Sequence, residues 1–167
     1  SVKKSIKPKA SAKREAKLRQ LQDIEDVRSY REPKRIVLVP KTQTQKTFIR
    51  AIKENEVSAS IGPAGVGKTY CAAGVAAQMF SANEVDGIVL TRANVTVGKT
   101  VGMLPGSANE KMSPLLMPIL DALKRHLTPG KVKYMVEKEQ IEMLPFEYVR
   151  GRSFIDKFVI IDEAQNL

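Results

Sequence analysis

The sequence predicts an α/β fold built on a parallel sheet flanked by helices. Short apolar runs recur along the chain, segments with helical periodicity lie between them, and no internal repeat is present. The chain has 167 residues, of which 43% are hydrophobic and 28% charged. That size and balance are typical of one soluble globular domain with its own core.

The apolar runs, such as GIVL and FVII, are far too short to span a bilayer. The Lys-rich start is not followed by the apolar segment of a secretory signal. We therefore expect no membrane association and a cytoplasmic location.

Basic residues are concentrated at the start of the chain. Residues 1–35 contain 12 Lys and Arg against 5 Asp and Glu, a net charge of +7 out of +10 for the whole chain. We therefore predict a basic, flexible arm over residues 1–34 and a folded domain over residues 35–167. Such an arm suits contact with a nucleic-acid phosphate backbone, and a solubilising tail is the alternative.

Cys71 is the only cysteine and His126 the only histidine. One cysteine excludes an internal disulfide, and its Ala-rich apolar surroundings predict a buried, inert thiol. His126 follows two basic residues, which favours a solvated histidine at a helix end over a metal ligand.

A helix is predicted from Gln43 to Glu54. Thr42, followed three residues later by Gln45, has the spacing of a capping box, and three apolar residues then fall on one helical face: Phe48, Ile49 and Ile52. The preceding run IVLVP, residues 36–40, is predicted to be an edge strand or an extended lead-in.

A strand, a glycine-rich segment and a helix come next. VSASI, residues 57–61, is predicted as a short strand that runs directly into GPAGVGKT. The Ala-rich residues 69–80 are predicted as a helix, and GIVLT, residues 87–91, as a second buried strand.

The second half of the chain repeats this alternation. A Gly- and Pro-containing loop at residues 93–106 precedes a helical segment that we expect to be broken or restarted at Pro114 and Pro118. A short helix at 131–138, a short strand at 141–144 and a last strand at 158–161 complete the predicted elements.

The glycine-rich segment matches the pattern G-x-x-x-x-G-K-[ST] at every fixed position, with Gly62, Pro63, Ala64, Gly65, Val66, Gly67, Lys68 and Thr69. Glycines let backbone N–H groups point inward, and the following helix presents its positive end to phosphates. Lys68 is placed to reach the β and γ oxygens, and the Thr69 hydroxyl to bind Mg²⁺. A turn that binds nothing is the alternative, which the flanking strand and helix disfavour.

Two acidic residues, Asp162 and Glu163, directly follow the last predicted strand. Asp162 is placed to hold the Mg²⁺ shell, and Glu163 to polarise a water molecule against the γ-phosphate. Successive strand side chains point to opposite faces, so both can serve only if the chain turns at about Glu163. A glutamate beside the aspartate favours hydrolysis by water over transfer to a small molecule.

Five segments together resemble the PhoH family of P-loop ATPases, in order, from Gln45 to Asn166: GPAGVGKTYCAA, TRANVTVGKTVGMLPG, EKMSPLLMPILDAL, IEMLPFEYVRGRSF and FVIIDEAQN. The resemblance implies a RecA-like P-loop NTPase fold, similar to the first domain of superfamily 1 helicases. It also implies ATP and Mg²⁺ as ligands, ATP hydrolysis and a link to RNA metabolism.

The resemblance assigns the phosphate, Mg²⁺ and water roles to the same loop residues and to the two acids. It implies that Gln45 recognises adenine, with helix capping as the alternative. Thr91 and Arg92 match a segment that faces the nucleic-acid strand in related helicases. Arg150 and Arg152 match the family's RGR, for which surface ion pairs are the alternative. Gln165 is expected to sense the γ-phosphate or to satisfy backbone groups.

The sequence departs from the family pattern at three positions: Val66 replaces a common threonine, Ala93 a common proline, and Lys99 a common acid. The first change is harmless because that position contributes mainly a backbone N–H, whereas the third leaves the role of its loop open.

The resemblance also implies one more strand, which comes after Asp162 in the sequence. In the sheet it lies between the loop-bearing strand and the strand that carries Asp162. We therefore expect a piece of a longer protein, incomplete after the DEAQ motif, that is by itself a poor ATPase. A start at Ser1 favours an incomplete beginning too. A regular parallel ladder between residues 57–61 and 158–161 would contradict the expected strand between them.

Three functional hypotheses are compatible with the sequence. The first is an ATP-binding protein whose complete form hydrolyses ATP, coupled to RNA or single-stranded DNA. The second is a P-loop phosphotransferase acting on a small molecule, and the third a nucleotide-dependent nucleic-acid-binding module without catalysis. A homo-oligomer is possible under each.

Overall fold

The structure, a computed structural model, describes residues 36–93 and 108–166. These residues form a three-stranded parallel sheet with helices packed against it, which confirms the predicted α/β class. The helices are α1 (Gln43–Glu54), α2 (Lys68–Ser81), α3 (Ala108–Leu127) and α4 (Pro129–Glu137). The strands are β1 (Gly87–Arg92), β2 (Ile141–Pro145) and β3 (Lys157–Asp162).

Strand β1 lies at the centre of the sheet, with the order β2-β1-β3. Its residues 88–91 are fully buried, as expected for a parallel strand covered on both faces. Parallel strands end at one edge, and here Arg92 stands opposite Pro145 on one side and Asp162 on the other. The carboxyl edge of the sheet therefore gathers the residues that follow all three strands.

Helix α3 runs unbroken through Pro114 and Pro118, so the predicted interruption is wrong. An interior proline costs a helix about 3 kcal/mol, because it removes one hydrogen bond and crowds the preceding turn. Burying one large apolar side chain contributes about 1.5–3 kcal/mol. Seven α3 side chains are buried in the core, which outweighs the two interruptions: Met112, Leu116, Ile119, Leu120, Ala122, Leu123 and Leu127.

Helix α1 has the predicted bounds, with the Thr42 hydroxyl accepting a hydrogen bond from the Gln45 N–H at 3.1 Å. Residues 36–40 before it have no regular secondary structure, so the predicted edge strand is not formed. The Ile36 N–H donates to the Arg125 carbonyl at 2.9 Å at the end of α3.

His126 is at the end of α3 as predicted, but it is only 7% exposed, so the expectation of a solvated ring is wrong. Its Nδ1 lies 2.8 Å from the Ile36 carbonyl oxygen, and its ring packs on that of Tyr70. The lead-in therefore covers the histidine. Cys71 is buried as predicted, and burial raises the pKa of its thiol.

The predicted strand at residues 57–61 is wrong, because this segment has no regular secondary structure and no ladder partners. Val57 is 88% and Ile61 100% exposed, so neither gains the burial that favours a strand. Within the part of the chain that the structure describes, β3 pairs only with β1, and no ladder joins β3 to residues 57–61.

The predicted arm at residues 1–34, most of the predicted loop at 93–106, and Lys99 lie outside the described residues. No helix in the described ranges is both long and apolar enough to cross a bilayer.

Candidate functional site

The glycine-rich loop connects the irregular segment at residues 57–61 to helix α2. Gly65 and Gly67 have φ values of 81° and 87°, in the left-handed region that favours glycine. Gly67 directly precedes Lys68, the first residue of α2, so the positive end of the helix opens onto the loop. The loop residues 62–66 are exposed, while Lys68 and Thr69 are half-buried.

The Lys68 ammonium group lies against its own loop. Its Nζ donates to the Gly62 carbonyl at 2.7 Å and to the Pro63 carbonyl at 2.8 Å. These two bonds close the loop around the lysine. A bound phosphate would compete with these carbonyls for the ammonium, because charge-assisted bonds to an anion are stronger than bonds to a neutral carbonyl.

Gln45 links the start of α1 to the loop. Its Oε1 accepts from the Lys41 N–H at 2.7 Å, and its Nε2 donates to the Val66 carbonyl at 3.0 Å. A Cβ atom at Gly67 would lie 2.9 Å from that Nε2. Position 67 therefore requires glycine for two reasons: its left-handed backbone conformation and the close approach of the Gln45 amide.

The two acids lie where β3 ends. Asp162 is the last residue of the strand, and Glu163 has a φ of 53°, so the chain turns at Glu163 as predicted. A short 3₁₀ turn, Ala164–Asn166, follows. The Glu163 carbonyl accepts from the Asn166 N–H at 3.0 Å, which stabilises this turn.

The Glu163 carboxylate is held on both oxygens. Its Oε2 accepts from the Gln165 amide at 2.5 Å, and its Oε1 lies 3.5 Å from Nη2 of Arg92. The Nε of Arg92 lies 3.9 Å from Oδ2 of Asp162. One guanidinium on the central strand therefore faces both acids of the neighbouring strand.

The loop and the acids belong to elements that pack together, because the helix that begins at Lys68 contacts β3. The predicted phosphate-binding and acidic residues thus belong to elements in direct contact. A hydroxyl, two carboxylates and an ammonium group are the chemical set that a triphosphate with a hard divalent cation requires.

Three other predicted site residues have different surroundings. Thr91 is fully buried, and its hydroxyl has no hydrogen-bond partner among the described residues, so it does not face a nucleic-acid strand here. Arg152 donates to Glu142 at 3.0 Å and lies over the Phe154 ring, in agreement with the ion-pair alternative. Arg150 is exposed.

Sequence reasoning missed the role of Arg92 in holding the acids. The signal was available, because Arg92 directly follows a predicted strand just as Asp162 does. Residues at the carboxyl ends of adjacent parallel strands meet at one edge. Which strands are adjacent, however, becomes known only from the fold.

Comparison with known proteins shows which family this chain resembles. The family model described as PhoH-like protein matches residues 37–167. A PhoH-like protein of Synechocystis is 44% identical over 126 residues, which cover 75% of this chain and 38% of the relative. A PhoH-like protein of Bacillus subtilis is 41% identical over 126 residues, covering 75% of this chain and 40% of the relative.

Protein PhoH of Escherichia coli K12 is 35% identical over 132 residues, covering 78% of this chain and 37% of the relative. The matched part of the chain thus spans well under half the length of each of these curated relatives.

Proposed function

The chain belongs to the PhoH-like protein family, and from this premise we propose that it binds ATP with Mg²⁺ and forms the nucleotide-binding part of an ATPase. One observation carries the proposal. The glycine-rich loop opens helix α2, and that helix packs against the strand that ends in Asp162.

The loop residues Gly62 to Gly67 are proposed to hold the phosphates through backbone N–H groups and the positive end of α2. Lys68 is proposed to move from the Gly62 and Pro63 carbonyls to the β and γ oxygens, because an anion binds the ammonium more strongly than a neutral carbonyl does. The loop needs little rearrangement for this, since both glycines already hold left-handed conformations.

Thr69 and Asp162 fit Mg²⁺ by the chemistry of their donors, since hydroxyl and carboxylate oxygens are the hard ligands that this cation prefers. The Asp162 side chain is 23% exposed and has one long ion pair with Arg92, so its oxygens remain accessible to a cation. When bound, the cation would neutralise charge on the phosphate oxygens. Asp162 and Thr69 would hold it through their side-chain oxygens.

Glu163 is proposed as the general base that orients and polarises the attacking water. The turn at Glu163 keeps its carboxylate within reach of the guanidinium that faces Asp162, and Gln165 and Arg92 hold it in place. A carboxylate fixed in this way favours water as the nucleophile.

Gln45 is proposed as a cofactor-site residue, for which two roles compete. Its amide is engaged by Lys41 and Val66, which supports positioning of the loop. Recognition of adenine would use the second N–H of Nε2 or the second lone pair of Oε1, which these two bonds do not occupy.

Coupling to RNA or single-stranded DNA is the finer part of the proposal, and so is a cytoplasmic location. The net charge of +7 in residues 1–35 supports nucleic-acid coupling through non-specific phosphate contacts.

Release of γ-phosphate from ATP tests the proposal under three conditions: water alone, added single-stranded RNA, and added small-molecule acceptors. Phosphate release stimulated by RNA is the expected result for the protein in its full-length form. Transfer only to an acceptor would replace the proposal with a phosphotransferase. Binding without turnover in the full-length form would replace it with a non-catalytic binding module.

A further inference from the structure

The Arg92 guanidinium is fixed by three different groups. Its Nη1 donates to the Leu115 carbonyl of α3 at 2.9 Å. Its Nη2 lies 3.5 Å from Oε1 of Glu163, and its Nε lies 3.9 Å from Oδ2 of Asp162. With 26% of the side chain exposed, the guanidinium is part of the site and not a free surface charge.

The sheet dictates this arrangement. Arg92 and Asp162 are partners in the parallel register of β1 and β3, and the Ala93 N–H extends the ladder to the Asp162 carbonyl at 3.0 Å. The turn at Glu163 then keeps the second acid within reach of the same side chain. A planar guanidinium carries five N–H donors on three nitrogens in a fixed plane, whereas a lysine has three donors on one nitrogen.

The helix contact completes the link. Pro118 has no N–H to donate to the Pro114 carbonyl, so the hydrogen-bond ladder of α3 is interrupted one residue before Leu115. The Leu115 carbonyl accepts from Arg92. Arg92 therefore connects α3 to both acids of β3.

We propose that Arg92 is a positioning residue that orients Glu163 and competes with Mg²⁺ for Asp162. This inference rests on the proposed function. The guanidinium offsets the repulsion between two neighbouring carboxylates while no cation is bound. Its positive charge also lowers the affinity of Asp162 for a second cation, so the site favours Mg²⁺ that arrives with the triphosphate.

The test measures binding of a fluorescent ATP analogue to the full 167-residue chain as Mg²⁺ is varied. Arg92→Ala is expected to lower the Mg²⁺ concentration at half-saturation about fivefold, since a unit positive charge a few Å away is removed in a partly solvated site. Arg92→Lys keeps the charge, so its half-saturating Mg²⁺ concentration is expected to equal that of the wild type.

Arg50→Ala is the matched control, because it removes an arginine from an exposed ion pair with Glu54 on α1. It is expected to leave the Mg²⁺ dependence unchanged. Arg92→Gln provides a second neutral variant that keeps a donor for the Leu115 carbonyl. It is expected to bind Mg²⁺ more tightly even if Arg92→Ala loses stability on thermal unfolding.

A damaged fold would weaken binding, so tighter Mg²⁺ binding distinguishes the proposed role from a structural one. Wild-type binding with the same Mg²⁺ dependence in Arg92→Ala and Arg92→Gln would overturn this inference alone. Absence of Mg²⁺-dependent binding in the wild-type chain would overturn the proposed function and this inference together.

Discussion

Arg92 and Asp162 occupy facing positions at the carboxyl ends of neighbouring parallel strands, and their side chains form an ion pair of 3.9 Å. The same guanidinium reaches Glu163, which begins the turn after the strand. The proposed Mg²⁺ ligand and the proposed base are thus distinguished by backbone geometry, although they are adjacent in sequence. Substitutions at the two acids should therefore have different consequences.

Asp162→Asn is expected to raise the Mg²⁺ concentration at half-saturation of ATP binding about tenfold, because a neutral amide is a poor ligand for a hard cation. Glu163→Gln is expected to leave ATP binding and its Mg²⁺ dependence within about twofold of wild type, because a base acts on water and not on the ground state. Calorimetric titration of ATP at low and high Mg²⁺ measures both effects.

Each acid variant serves as the control for the other, since both replace a carboxylate by its amide. In the full-length form of the protein, Glu163→Gln is also expected to stop γ-phosphate release. Normal release by that variant would refute the assignment of Glu163 as the base.

Gln45→Ala is expected to lower the affinities for ATP and GTP by the same factor, because the amide holds the loop through the Val66 carbonyl. It should also reduce the free energy of unfolding by roughly 0.5–1 kcal/mol through the loss of partly exposed hydrogen bonds. Competition binding with the two nucleotides and denaturant unfolding provide the measurements.

Gln43→Ala, an exposed substitution in the first turn of the same helix, is the control for general effects on α1. A selective loss of ATP affinity in Gln45→Ala, with GTP affinity unchanged, would instead assign the amide to adenine recognition.

Deletion of residues 1–34 is expected to weaken binding to single-stranded RNA and to flatten its salt dependence, because most of the excess positive charge lies there. Each lost phosphate contact should reduce the slope of log K against log salt by about 0.7. Replacing Lys3, Lys4, Lys7 and Lys9 by Gln preserves the length of the chain and should flatten the slope in part. If both variants keep the wild-type slope, the arm does not bind the phosphate backbone.

Local patterns predicted much of the fold. The bounds of α1 follow from Thr42 and the apolar spacing behind it. The turn at Glu163 follows from the need to bring two adjacent acids to one site, because a continuing strand would point them to opposite faces. The loop Gly62 to Thr69 was identified because its residue types are dictated by backbone chemistry that is local to the motif.

Long-range packing decided what the sequence did not reveal. The strand predicted at residues 57–61 fails because strand formation depends on a paired neighbour, which a local pattern does not supply. Helix α3 continues through Pro114 and Pro118 because burial of its apolar side chains in the core outweighs the cost of the two prolines. His126 is buried by residues 36–38, some 90 positions away in the chain, and the roles of Arg92 and Gln165 likewise depend on which strands and turns meet.

The central claim is that the loop from Gly62 to Thr69 binds the phosphates of ATP, and equilibrium titration of ATP into wild-type and Lys68→Ala chains tests it most directly. Loss of the ammonium should reduce the affinity by about 10- to 100-fold, the range expected for one charge-assisted hydrogen-bonding group. Lys53→Ala, an exposed lysine in the last turn of α1, should retain wild-type affinity. Equal ATP affinity in Lys68→Ala and wild type, or no ATP binding by the wild-type chain, would contradict the claim.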